Sequence, residues 1–169
     1  DYLNKEISRC ISLMLTMEMP EEDCQVINAY FKITGNLERI GDHAMNFAEY
    51  AQMLEEKKLS LSNKAMEEVV QMRHLCLDSL EALRTHEGED SLSLLEEIAQ
   101  AEQRIDDMTV RFRQNQMERM RSGACSGEAC VIYSEMLTDF ERIGDHLLNI
   151  AQEIAQNHLE NEPLLAVLS

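Results

Sequence analysis

The hexapeptide Glu38-Arg39-Ile40-Gly41-Asp42-His43 occurs a second time, letter for letter, as Glu141-Arg142-Ile143-Gly144-Asp145-His146, 103 residues further on. Between residues 36–50 and 139–153 eight of fifteen positions agree: the six motif residues plus Asn46/Asn149 and Ala48/Ala151. In a chain of 169 residues this recurrence reads as an internal duplication, so the fold must be one that can be built twice.

Both copies lie in helical patterns. Around the first, Ile33, Leu37, Ile40, Ala44, Phe47 and Ala51 recur at three- and four-residue spacing; around the second, Leu137, Phe140, Ile143, Leu147, Ile150 and Ile154 do the same. Each set is the apolar face of a helix that packs into a core. The polar residues fall on another line. Glu38, Asp42, Asn46 and Glu49 form one stripe, repeated by Glu141, Asp145, Asn149 and Gln152. At about 100° per residue this stripe lies nearly opposite the apolar one.

Two readings of the stripe stand side by side. Most polar stripes on helices are solvated faces. A Glu-xxx-Asp pair also supplies two carboxylates on one face, the start of a site for a hard or borderline metal ion, and here it is duplicated with an amide one turn on.

Composition narrows the fold class to all-α. Two prolines and six glycines leave long uninterrupted windows, aromatics make up only 5% and Trp is absent. The length suits one domain with a proper core. A net charge of −17 argues against nucleic acid and anionic membrane surfaces as partners. No apolar run approaches the roughly 20 residues that span a bilayer, so no membrane insertion is expected, and no signal peptide is visible. Five cysteines at irregular spacing (Cys10, Cys24, Cys76, Cys125 and Cys130) read as free thiols in a reducing compartment rather than a disulfide framework.

Along the chain, a first helix spans residues 1 to about 17, and Pro20 ends it. The second runs from about 21 to 57 and carries the first motif. Ser62 is the candidate N-cap of a third, which extends to about 85. After the polar turn 86–90 comes a fourth, to about 121, with a further Glu-xxx-Asp pair in Glu102 and Asp106. The fifth, from about 127 to 159, carries the second motif. Gly41, repeated as Gly144, reads as a point of close helix approach. Helices four and five match helices one and two, and the third has no counterpart before the first. The expected architecture is two pseudo-repeated antiparallel helical bundles: residues 1–57 with the leading helix missing, residues 58–160 with three helices, and a tail over 161–169. The incomplete first bundle leaves an apolar face to cover, which makes a homodimer an expected assembly. The chain also opens at Asp1 without Met, inside a helical pattern, and reads as a piece of a longer polypeptide.

Glu-Arg-Ile-Gly-Asp-His followed by Asn and Ala, twice, on the last helix of each half of an acidic all-α chain, resembles the PhoU family. The opening Asp1-Tyr2-Leu3-Asn4-Lys5-Glu6-Ile7 is most similar to the PhoU-like domain at the C-terminus of bacterial sodium/phosphate cotransporter proteins. The resemblance covers residues 1 to about 157. It implies a cytoplasmic regulatory domain in phosphate transport and homeostasis, at the cytoplasmic face of the inner membrane, with no reaction of its own. Its implied partner is a transporter membrane domain, in the same chain or separate. It also implies a multinuclear iron or zinc cluster held by Glu38, Asp42, Glu141 and Asp145. Asn46 and Asn149 come next, with Glu102, Asp106 and Asp1 from the adjoining helices. His43 and His146 are turned about 100° from the stripe, which makes them second-choice ligands and ordinary bundle-interface residues. Two other classes stay open: a structural dimerisation domain without metal, and a helical metalloenzyme. The latter wants inward-facing Glu and Glu-x-x-His pairs, which the outward stripe does not supply.

Overall fold

The computed structural model describes residues 2–18, 20–86 and 90–157. Asp1, residues 87–89 of the polar turn, His158 and the 161–169 tail lie outside the described residues. Five helices follow in order: α1 (Tyr2–Met14), α2 (Glu21–Glu56), α3 (Asn63–Thr85), α4 (Ser91–Arg121) and α5 (Gly127–Asn157). The class is all-α, and the helices pack as two sub-bundles. α1 lies on α2, α3 and α4 lie on α5, and α2 packs along α5 to join the two groups.

Local chemistry sets most of the boundaries. Pro20 stands at the N-cap of α2, with Glu21, Glu22 and Asp23 in the first turn where the helix dipole favours acids. Ser62 caps α3 by accepting from the Ala65 amide at 3.2 Å, and Asp90 caps α4 by accepting from Ser93 at 3.0 Å. α1 stops six residues short of Pro20: the Thr16 and Met17 amides reach back only three residues, to Leu13 and Met14, so the last turn tightens and unwinds before the proline. α2 and α4 end alike. The Leu59 and Ala124 amides bond the carbonyls of Leu54 and Arg119, five residues back, through a left-handed residue: Lys58 (φ 52°) in one case, Gly123 (φ 71°) in the other.

α5 is the centre of the molecule. Leu137, Phe140, Ile143, Leu147, Ile150 and Ile154 are all buried on it, each contributing about 1.5–3 kcal/mol relative to exposure. The matching set on α2 is covered on one side only. Ile33 and Ile40 are buried, Leu37 and Phe47 half-buried, and Ala44 and Ala51 exposed. The expected apolar face of α2 is thus rotated: Ala29, Ile33, Asn36 and Ile40 face inward. The two motif glycines divide in the same way. A Cβ at Gly144 would stand 3.1 Å from Ile105 of α4, the close approach expected; at Gly41 it would meet nothing within 4 Å.

One cysteine expectation is corrected. Cys125, in the α4–α5 turn, and Cys130, in the first turns of α5, are joined by a disulfide, with their Cα atoms 6.5 Å apart. The turn folds back onto the helix start, where Ser126 accepts from the Ala129 amide, and brings the two thiols within bonding range. Spacing along the chain did not convey this. Cys10, Cys24 and Cys76 are free, and burial pushes the Cys76 thiol up to about 12.

Candidate functional site at the junction of the two motif helices

α2 and α5 run antiparallel, and the two hexapeptides meet where they cross-pair. His43 and His146 stack, with ring centroids 5.7 Å apart and planes 26° from parallel. Each imidazole then reaches to the opposite helix. His43 Nδ1 lies 2.7 Å from Asp139 Oδ1, and His146 Nδ1 lies 2.9 Å from Asn36 Oδ1. Asn36 and Asp139 are separated by the same 103 residues as the motifs, so the contact is reciprocal.

The motif amides complete the pairing. Asn46 donates to Asp139 at 3.1 Å, and Asn149 donates to Asn36 Oδ1 at 3.5 Å. The copies differ in what they hold. Asp139 is buried and also accepts from the Tyr50 hydroxyl at 2.7 Å, so two carboxylate oxygens serve three donors. Asn36 spends its own N–H on the Lys32 carbonyl at 2.9 Å, which fixes its oxygen toward His146. Burial depresses the affinity of His146 for a proton, and the neighbouring His43 and Arg39 add to the effect. Burial and the bond to Asp139 push the Tyr50 hydroxyl well up.

A second buried polar group lies inside the three-helix unit. Glu68 of α3 accepts from Asn115 at 2.7 Å, from Arg119 at 2.9 and 3.1 Å, and from the Tyr133 hydroxyl. Burial alone would raise its pKa, but these hydrogen bonds outweigh it and hold the carboxyl below the ordinary value. Arg119 also lies 5.1 Å over the Tyr133 ring. With all partners present, this buried pair ties α3, α4 and α5 together.

The expected metal ligands are dispersed. Asn4 of α1 donates to Glu38, and Asp42 is exposed. Asn46 turns away from the stripe into the α2–α5 junction. On the second copy Glu141 faces Arg113 at 3.5 Å and Asp145 faces Arg142 at 3.2 Å. Glu102 and Asp106 of α4 lie near enough to Asp145 for their pKa values to be raised, by burial first and by like charge second. Among the described residues, no group of three or more His, Cys, Asp or Glu is arranged to hold a metal ion. The expected iron or zinc cluster on Glu38, Asp42, Asn46, Glu102, Asp106, Glu141, Asp145 and Asn149 is therefore corrected. Glu38, Glu141 and Asp145 are engaged by an amide or an arginine, and Glu102 and Asp106 neighbour Asp145 without forming a ligand set with it.

The histidines lie at the interface of two helices, as their position off the stripe implies, and their acceptors come from outside the motif. A signal was present: Asn36 and Asp139 precede the motif histidines by seven residues each, two turns on the same face. The Glu68 cluster left no local signal, because its four members come from three helices.

This arrangement defines a class of protein: a duplicated helical scaffold whose copies clasp one another through their motif histidines and amides. The chain belongs to the PhoU family, whose domain matches residues 1–51 and 62–154. It is 28% identical over 155 residues to the phosphate-specific transport system accessory protein PhoU homolog 1 of Thermotoga maritima, covering 91% of this chain and 66% of that protein. An uncharacterized protein of Deinococcus radiodurans is 21% identical over 153 residues, 90% of this chain and 55% of its own length. The chain thus spans less than two thirds of either relative. The fold is also that of the crystal structure of PhoU from Pseudomonas aeruginosa, with a TM-score of 0.67, 22% identity, and coverage of 92% of this chain and 78% of that one. PhoU-family proteins are non-catalytic regulators. No described helix is long and apolar enough to cross a membrane.

Proposed function

We propose that this chain is a regulatory domain in phosphate signalling that acts by docking rather than by chemistry. The observation that carries this reading is the domain match over both halves of the chain, with the duplicated motif inside each matched segment. A relative's description as an accessory protein of a phosphate-specific transport system agrees with it. The finer reading is that the domain serves a transporter membrane domain of the sodium/phosphate cotransporter type, fused or separate, at the cytoplasmic face of the inner membrane. The reciprocal His43–Asp139 and His146–Asn36 contacts support the division into repeats at 1–57 and 58–160. The exposed apolar side chains of α1 and α2 (Leu3, Leu13, Phe31 and Met45 among them) support a partner on that side, a second copy being one. In this proposal Glu38, Asp42, Glu102, Asp106, Glu141 and Asp145 belong to an acidic surface that a partner reads.

The test is deletion of the gene in its native host, with radiolabelled phosphate uptake measured at high external phosphate. Loss of restraint on uptake, restored by the wild-type gene, is the expected result. Unchanged uptake together with an unchanged phosphate-starvation response would overturn the reading. Sedimentation of the purified chain checks the homodimer separately.

A further inference from the structure

An open groove of about 640 Å³ runs between α3 and α4, on the far side of the three-helix unit from the α2–α5 junction. Its size lies in the range of small-molecule sites. Arg104 and Arg111 line it from α4, seven residues and hence about 10.5 Å of helix rise apart. Neither forms an ion pair with a described acid, unlike Arg84, Arg113, Arg119 and Arg142.

The groove is polarised along its length. α3 and α4 are antiparallel, in the register set by Glu68 with Arg119. One end therefore gathers Gln71 and His74 of α3 beside Arg111 of α4. The other gathers Asp78 of α3 with Arg104 and Asp107 of α4. Leu75 and Met108 form an apolar stretch between the ends. Gln103 donates to one oxygen of Asp107 at 3.3 Å, and the other has no hydrogen-bond donor among the described residues.

We propose that this groove binds a nucleoside monophosphate. A phosphate at the Arg111 end takes a paired guanidinium contact, with donors from Gln71 and His74. The sugar crosses Leu75 and Met108, and its hydroxyls donate to Asp78 and Asp107. The Arg104 guanidinium plane lies against the base. The two aspartates decide between ligand classes. They repel a second anionic group, which disfavours an acidic peptide or a polyphosphate. They reward neutral donors at a fixed distance from a single anion, which favours a monophosphate over bare inorganic phosphate.

The experiment is calorimetric titration of the full chain with adenosine, guanosine and uridine 5′-monophosphates, alongside inorganic phosphate and a tetraglutamate peptide. Binding of at least one monophosphate, tighter than inorganic phosphate, is expected. Arg111→Ala weakens it about tenfold, the effect of losing one charge-assisted pair, and Arg111→Lys weakens it less. Asp107→Asn narrows the preference over inorganic phosphate. These side chains are exposed, so unchanged helical circular dichroism is expected of every variant. No binding of any monophosphate up to about 10 mM overturns the assignment. So does inorganic phosphate or the peptide binding as tightly as the monophosphates, or an Arg111→Ala variant that binds like wild type.

Discussion

α2 and α5 carry the same hexapeptide and live in different surroundings. Gly144, Leu147, Ala151 and Ile154 of α5 are buried beneath α3 and α4; their counterparts Gly41, Ala44, Ala48 and Ala51 on α2 are exposed. What the copies share is the contact they make with each other: the imidazoles, the amides and the apolar ridge of Ile40 and Ile143. What they do not share is a second layer of helices. The motif therefore encodes the junction of the halves, and the residues between motif positions encode how much else covers each half.

The largest effect should come from the covered side. Leu147→Ala removes a fully buried side chain and should cost about 3 kcal/mol. Ala44→Leu at the equivalent exposed position should change stability by no more than about 0.5 kcal/mol. Urea unfolding of both variants measures the difference, and equal effects would break the comparison. Next is the junction. Asp139→Ala strips three donors of their acceptor and should cost about 2–3 kcal/mol, whereas Asn36→Ala should cost about 1 kcal/mol. A double-mutant cycle reports whether the two halves of the clasp are coupled.

Smaller effects sharpen the same contrast. Gly41→Ala has open space around its new methyl and should stabilise by up to about 1 kcal/mol through helix propensity. Gly144→Ala must displace the tip of Ile105, so it should gain less or lose, which thermal melting will show. The smallest expected effect is proton-linked. His146 binds its proton less readily folded than unfolded, so below the unfolded value of about 6.5 the unfolded chain takes up more protons. The stability tied to this group is present above that pH and is lost as the pH falls toward the folded value. His146→Gln should flatten the stability profile across that window.

The helices were legible because their signals are local. Pro20 with its acids, Ser62 and Asp90 mark boundaries to within a residue or two. The rotation of α2 was not, because Ala44 and Ala51 are small enough to satisfy an apolar pattern whether covered or bare. The candidate metal site failed for a related reason: spacing on one helix puts Glu38 and Asp42 on one face, but Asn4, Arg113 and Arg142 on and beside the stripe determine what the acids meet. The Cys125–Cys130 bridge depends on how a turn closes onto the helix that follows, a geometry that five residues of spacing leave undetermined.

Gly144 has a mechanical reason to be glycine, pressed by Ile105; Gly41 has none within 4 Å. Within the described residues the first copy keeps a letter whose meaning is written out only in the second. The two glycines stand in different surroundings while spelled the same, so a change tolerated at one is no guide to what the other will bear.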